Sequence, residues 1–194
     1  MRDLRGGLIR TTLGCVLAGT VLLTGCSEKQ EASTSLPTPA AAPTTEALPP
    51  LGPADLPMPD EAREQTADGA QAFSEYYVEL YNHALRTLDT TSMRQLSKAC
   101  ETCDALADQV DRVAAAGQEH EGGEVRIRAS TPPYLTGDEA QLVFDVAQAP
   151  LSITQSGEPV EGQSMPEYSS TGGGGVLQWD ETRASWVMTQ WNVP

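Results

Sequence analysis

The spacing of apolar residues changes part-way along this chain, from a helical period in its middle to strict alternation in its last third. In "AFSEYYVELYNHALRTL" the residues Phe73, Tyr77, Leu80, Tyr81, Ala84 and Leu88 recur every three or four positions, while Glu75, Glu79, Asn82 and Arg86 fall on the opposite side. That pattern predicts a long amphipathic helix with one buried face. Asp89 or Thr90 stands where an N-cap is needed for a short second helix over "TSMRQLSKA". A third helix is expected over residues 101–116, with Leu106, Val110 and Val113 on its buried side and Gly117 as the residue that ends it.

Beyond Gly123 the period becomes two. "EVRIRA" sets Val125, Ile127 and Ala129 against Arg126 and Arg128, and "EAQLVFDVAQ" sets Ala140, Leu142, Phe144 and Val146 against polar neighbours. "PLSITQ" reads as a shorter strand. "GVLQWD", a turn at "ETRAS" and "WVMTQWNV" make the clearest hairpin. Helices first and antiparallel strands afterwards predict an α+β domain, with N-terminal helices packed on one face of a sheet.

The first 56 residues follow neither period. Arg2, Arg5 and Arg10 precede a short apolar run over residues 13–23, and "LTGC" closes it at Cys26. This is the pattern of a secretory signal, too short to span a bilayer, and "LTGC" resembles a bacterial lipobox. The resemblance implies cleavage before Cys26, a lipid (diacylglyceryl and palmitate-type acyl chains) on its sulfur, and residence at the outer face of the cytoplasmic membrane. More than one acyl chain is needed for stable anchoring, since each buried CH2 contributes only about 0.8 kcal/mol. Residues 27–56 are rich in Pro, Ala and Thr, without aromatics or a periodic apolar face. Such a segment cannot bury enough surface to offset its ordering entropy, so a disordered tether is expected. The expected layout is signal peptide 1–25, tether 26–56 and one domain over 57–194.

Removing residues 1–25, with three Arg and one Asp, takes the formal net charge from −15 to −17. A body this acidic lacks the basic footprint that nucleic-acid binding requires. It is also repelled by anionic headgroups, which leaves the lipid anchor as the expected membrane contact.

Compartment decides how to read "CETC". Outside the membrane paired cysteines tend to be oxidised, and positions i and i+3 of a helix lie about 5 Å apart at Cα, within disulfide range. Cys100 and Cys103 are therefore expected to staple the junction between the second and third helices. A redox reading gains from the helix N-terminus, which lowers thiol pKa, and loses from Glu101 and Asp104 beside the sulfurs. A metal reading lacks partners, because His83 and His120 have no ligand spacing to anything nearby. Cys26 is expected to be acylated and Cys15 discarded.

The stretch "AFSEYYVELYNHALRTLDTTSMRQLS", then "CETC", then "VAAAGQEHEGGEVRI" with Gly117, Gly122 and Gly123, resembles an uncharacterised domain family of actinobacterial lipoproteins. Its members resemble the NTF2-like fold, a cone in which a curved antiparallel sheet closes over helices. The resemblance implies fold and location, and no reaction; the short strand often seen between the helices of that fold is not visible in this sequence. Enzymes on such cones place a Tyr or His and an acid in the pocket, so Tyr76, Tyr77 and His83 on the long helix are the candidate pocket residues. Core packing, with hydroxyls at the rim, is the ordinary role for Tyr76, Tyr77 and Tyr81, and packing is equally expected of Trp179, Trp186 and Trp191.

Three weaker motifs have simpler readings. Asp104, Asp108 and Asp111 share a helical face and suggest calcium, but a solvated acidic face suffices. "TGGGGV" has no Lys and no following helix for a phosphate cradle, so a flexible loop or bulge is expected. Asp145 is expected in water, opposite Phe144. No catalytic constellation, metal site or cofactor emerges. The reading is a lipid-anchored, non-catalytic module that binds a small apolar molecule or an envelope protein through its cone mouth. The alternatives are an NTF2-like enzyme near Tyr76 and His83, or a thiol oxidoreductase at Cys100 and Cys103.

Overall fold

The computed structural model describes residues 48–192. The signal segment, Cys26 and the tether up to residue 47 lie outside the described residues. A 3-10 turn at Asp60–Arg63 leads into α1 (Ala67–Thr87), α2 (Thr91–Gln95) and α3 (Glu101–Ala115). Eight strands follow: β1 (Glu119–Gly122), β2 (Val125–Ser130), β3 (Tyr134–Thr136), β4 (Glu139–Gln148), β5 (Leu151–Gln155), β6 (Glu158–Met165), β7 (Tyr168–Asp180) and β8 (Ser185–Asn192). The domain is α+β, helices first, as the change of period predicts. Its strands form two sheets rather than one. The larger runs β2-β4-β7-β8 with β3 also on β4, the smaller runs β1-β5-β6, and neither closes on itself. All named pairings are antiparallel. Among the described residues, no helix is long and apolar enough to cross a membrane.

Local chemistry explains where the helices start and stop. The Thr66 hydroxyl accepts from Gly69 N–H at 2.9 Å and caps α1. Leu88, at φ 60°, ends it in the left-handed region. A Cβ on Gly69 would lie 2.1 Å from the Glu64 carbonyl oxygen, so only glycine lets the 3-10 turn lie against the first turn of α1. The second helix is shorter than its apolar pattern suggests. After Gln95 the chain straightens and runs beside β8: Met188 N–H donates to Leu96 O at 2.8 Å, and Lys98 N–H to Met188 O at 2.9 Å. Ser97 thereby forms a one-residue parallel bridge to Met188.

The buried stripe of α1 packs on β4 and β8. Tyr77 and Tyr81 meet the Trp191 ring edge-on, with centroids 5.2 and 5.6 Å apart. Such pairs contribute about 0.5–1.5 kcal/mol each beyond the area they bury. Asn82 departs from the expected pattern. Periodicity puts it on the solvent side of α1, yet it is 1% exposed. Its amide donates to Val125 O and accepts from Val125 N–H, both at 2.8 Å. Because β2 is an edge of the larger sheet, this side chain replaces the missing neighbour strand for Val125.

Several strands carry no alternation to read. The whole of β6 is exposed apart from the half-buried Val160, and β1 is "EHEG" with only His120 part-buried. "PLSITQ" does form β5, but between β1 and β6 rather than in the main sheet. The glycine run, expected to be a flexible loop or bulge, lies inside β7: Gly173–175 face Phe144, Val143 and Leu142 of β4, and Gly172 falls in the bulge between Phe144 and Val146. A Cβ on Gly174 would sit 2.3 Å from Leu142 O, so the strands approach closely only because that residue is glycine. Bulges shift the register between Ile127 and Ala129, Phe144 and Val146, and Val176 and Leu177. They turn Ala129, expected inside, to the exposed side. Bulges bend the strands that carry them.

The ordered domain begins before the expected boundary at residue 57. Met58 N–H donates to Leu51 O at 2.8 Å, and the Arg63 guanidinium donates to Pro49 O at 2.7 Å. No apolar periodicity marks residues 49–56, which are held by backbone and side-chain hydrogen bonds.

Candidate functional site

One cleft combines apolar walls with side-chain amides and no charge. It lies where α1 and α3 meet the ends of β2, β4, β6, β7 and β8, and has a volume of about 170 Å³. Tyr81 and Leu106 contribute from the helices, Val125 and Val146 from the strands, and Trp191 from β8. Gln109 and Gln148 supply its amide groups, so none of the residues lining it is charged. Met165 and Tyr168, at the two ends of the β6–β7 connection, also line it, and they are unusually exposed for large apolar side chains, at 44% and 39%. Two more open clefts adjoin. One, of about 490 Å³, shares Gln109 and Met165, and the other, of about 620 Å³, shares Val146, Gln148 and Tyr168. Of the three, the smallest is the uncharged one.

Trp191, which lines the uncharged cleft, is 1% exposed, and its indole N–H is buried away from the cleft without a hydrogen-bond partner. Buried donors of this kind are uncommon in native structures. Tyr81 is 8% exposed, and burial raises the pKa of its hydroxyl, which keeps it a neutral donor. Nothing in the sequence separated these residues from ordinary core. Tyr81 and Trp191 read as packing positions, which they also are, and residues 165–168 belong to no periodic segment.

The family model of a family of unknown function matches residues 53–193, nearly all of the domain just described. The chain belongs to that family, DUF6318. Comparison with curated proteins gives no match. Among solved structures, the intermembrane space region of chloroplast protein ARC6 is similar at 10% identity and a TM-score of 0.43, over 64% of this chain and 92% of that one.

The DUF6318 domain places the expected pocket residues elsewhere. Tyr76 is buried, its hydroxyl donates to Leu56 O at 2.9 Å, and burial pushes its pKa up to about 12. The Tyr77 hydroxyl donates to Met93 O at 3.3 Å inside the core. His83 Nε2 lies 3.2 Å from both Asp55 carboxylate oxygens, and its Nδ1 lies 3.3 Å from the Thr87 hydroxyl. A hydroxyl, an imidazole and a carboxylate in line resemble a nucleophilic constellation. Thr87, however, donates its proton to the His83 carbonyl at 2.8 Å. None of the three clefts above is lined by Tyr76, Tyr77 or His83. What Tyr76 and His83 do is hold residues 55 and 56 against α1.

Cys100 and Cys103 stand at disulfide distance, with Cα atoms 5.2 Å apart, and are 1% and 2% exposed. Cys100 is the N-cap of α3, its sulfur accepting from Cys103 N–H. The pair therefore sits directly after the Leu96–Lys98 bridge to β8, with Ala99 between them at φ 50°. A residue with a Cβ pays about 1 kcal/mol there, so the bridge and the cysteines must hold the turn from both sides. Burial keeps small thiols away from the sulfurs, which weighs against rapid exchange. Replacing both cysteines by serine is expected to lower stability by about 2 kcal/mol. Urea unfolding checks this, and an unchanged midpoint would mean the pair holds nothing.

The acidic face of α3 is not simply solvated. Arg94 reaches across from α2 to Asp108 and Asp111 at 2.7 and 2.6 Å, and to Asp104 at 4.0 Å. Its guanidinium holds the Asp111 carboxyl below the ordinary range. Among the described residues no group of three His, Cys, Asp or Glu side chains is arranged to hold a metal ion. Asp145 is half-buried rather than in water, and accepts from Gly172 N–H at 3.1 Å in the bulged part of β7.

Proposed function

We propose that this protein is a membrane-anchored extracytoplasmic lipoprotein whose domain is an NTF2-like binding module with no catalytic role. The observation that carries the binding reading is the uncharged cleft, with apolar walls and the amide groups of Gln109 and Gln148. Pockets for small molecules are concave, mostly apolar and furnished with a few polar groups. The cone reading is supported by helices on a bulged sheet and by the Ser97–Met188 bridge, which occupies the place of the short strand between the helices. Fold analogy alone does not supply a function, and the enzyme alternative finds Tyr76 and His83 engaged in holding the N-terminal segment.

Anchoring rests on "LTGC" and the Pro/Ala/Thr-rich tether, which spaces the domain from the membrane. Cys26→Ala is expected to move the protein wholly from the membrane fraction to the aqueous one. Retention of the variant in the membrane would overturn the anchor. Native mass spectrometry of the protein released from its own envelope tests the binding reading. An added mass that leaves on denaturation is expected. A bare mass, together with no co-purifying envelope protein, would overturn it.

A further inference from the structure

We infer that the smaller sheet is a hinged flap beside the uncharged cleft, latched to the helices at His120 and released by acid. This goes beyond the binding reading above and rests on it only for the use of the cleft.

The hinge comes from the path of the chain. The two sheets are joined by three short links, Gly123–Glu124, Ala149–Pro150 and Pro166–Glu167. The first two lie side by side: Gly123 N–H donates to Pro150 O at 2.8 Å, and Ala149 N–H to Glu124 O at 2.9 Å. Gly123 stands at φ 80°, so the bend falls where the backbone turns freely. Hinges are a few such residues at the ends of elements. The apolar contact of the flap is also its own. Leu151 and Ile153 of β5 and Val113 of α3 are buried, yet they stand apart from the main core, and all three line the cleft of about 490 Å³. A satellite cluster beside a cavity opens more easily than the core does. Met165, the last residue of β6, lines both this cleft and the uncharged one, so movement of the flap changes both.

His120 is the group that responds to acid. It sits in β1, the strand that packs on α1 and α3, opposite Ile153 of β5. Its Nδ1 is buried and has no hydrogen-bond partner. A neutral imidazole tolerates that, because one of its nitrogens carries no proton. The imidazolium carries a proton on both. It would therefore hold a buried N–H unpaired, a cost that release into water removes. Burial lowers the pKa of the ring, and the Leu85 carbonyl opposes this more weakly. No carboxylate compensates. Arg86 and Arg112 close α1 and α3, Asp111 is held by Arg94, Glu119 and Glu121 point to the other face of β1, and β5 has no charged residue. The folded-state pKa thus lies below the unfolded value of about 6.5. The latch is complete above that value. As pH falls from it towards the folded value, opening rises by up to about tenfold per pH unit and then levels off.

Hydrogen exchange tests this, followed amide by amide at about pH 7.5 and about pH 5 in residues 26–194 with Cys26→Ala. After correction for the intrinsic rate, protection of Leu151–Gln155 is expected to be about three- to tenfold lower at the acid pH, while β4 and β7 keep theirs. His120→Phe keeps a ring that cannot be protonated and should abolish the dependence. His120→Gln should do the same, which keeps the test sound if the phenylalanine variant fails to fold. His83→Gln, at the only other histidine, should leave the dependence in place. Equal protection of β5 at both pH values would overturn the flap. An equal loss in β4 and β7 would overturn it in favour of global unfolding. A dependence that survives both His120 variants would overturn the latch. No ligand enters these readouts, so the flap can fail while an added mass on the envelope-derived protein still supports the binding module, and the reverse.

Discussion

Replacing Asn82 by leucine is expected to lower the stability of the domain by about 3–5 kcal/mol. The side chain is 1% exposed and pairs with both backbone groups of Val125, 43 residues away. Leucine fills the space yet leaves a buried N–H and a buried carbonyl without partners. Each costs about 1–3 kcal/mol, because water cannot reach it. Asn82→Asp separates the two bonds. An ionised carboxylate accepts from Val125 N–H but faces the Val125 carbonyl, whereas the neutral acid donates to it. The folded-state pKa of that aspartate would thus be raised above the unfolded value of about 3.9. Relative to wild type, the variant should lose least stability below that value and more as pH rises through the folded pKa. Urea unfolding of both variants across pH checks this. A leucine variant within about 1 kcal/mol of wild type would mean that α1 does not hold the edge of β2.

Trp186→Ala should be comparably severe, at about 3–5 kcal/mol. Trp186 is fully buried in β8, crosses Trp179 edge-on at 5.4 Å, and donates to the Glu64 carbonyl. It joins the C-terminal hairpin to the turn that precedes α1, two segments 122 residues apart. Truncation leaves a large cavity and an unpaired carbonyl together. Trp186→Phe keeps most of the volume and loses the hydrogen bond, so its cost should fall to about 1–2 kcal/mol. Domains of this kind are stable by only about 5–15 kcal/mol, and the alanine variant should show a clearly lowered urea midpoint. Equal losses for alanine and phenylalanine would assign the effect to the hydrogen bond and not to packing.

The two residues differ in how far they were legible. Trp186 lies in a hairpin with clear alternation, and an aromatic there reads as core. Asn82 reads as solvent-facing, because an amide on the polar side of an amphipathic helix normally is. It is buried because an edge strand more than forty residues later lies over that side of α1. The same holds for Tyr76 and His83. Their place on the apolar flank of α1 was readable, but not that residues 51–58 would cover it. Tyr81 and Trp191 were readable as core and not as the lining of a cleft, since one aromatic can serve both purposes and the pattern does not distinguish them.

Periodicity alone settled the helices, the main strands and the α+β order, because 3.6- and 2-residue spacings follow from backbone geometry and one buried face. The end of α3 at Gly117 followed equally, because a residue without a Cβ takes the left-handed turn locally. The tertiary structure decided what depends on distant neighbours: the division into two sheets, the strand made by Gly173–175, and the bulges that shift its register. It also decided where the cleft lies. A cleft is the space left between elements that meet from opposite ends of the chain, and no local pattern records it.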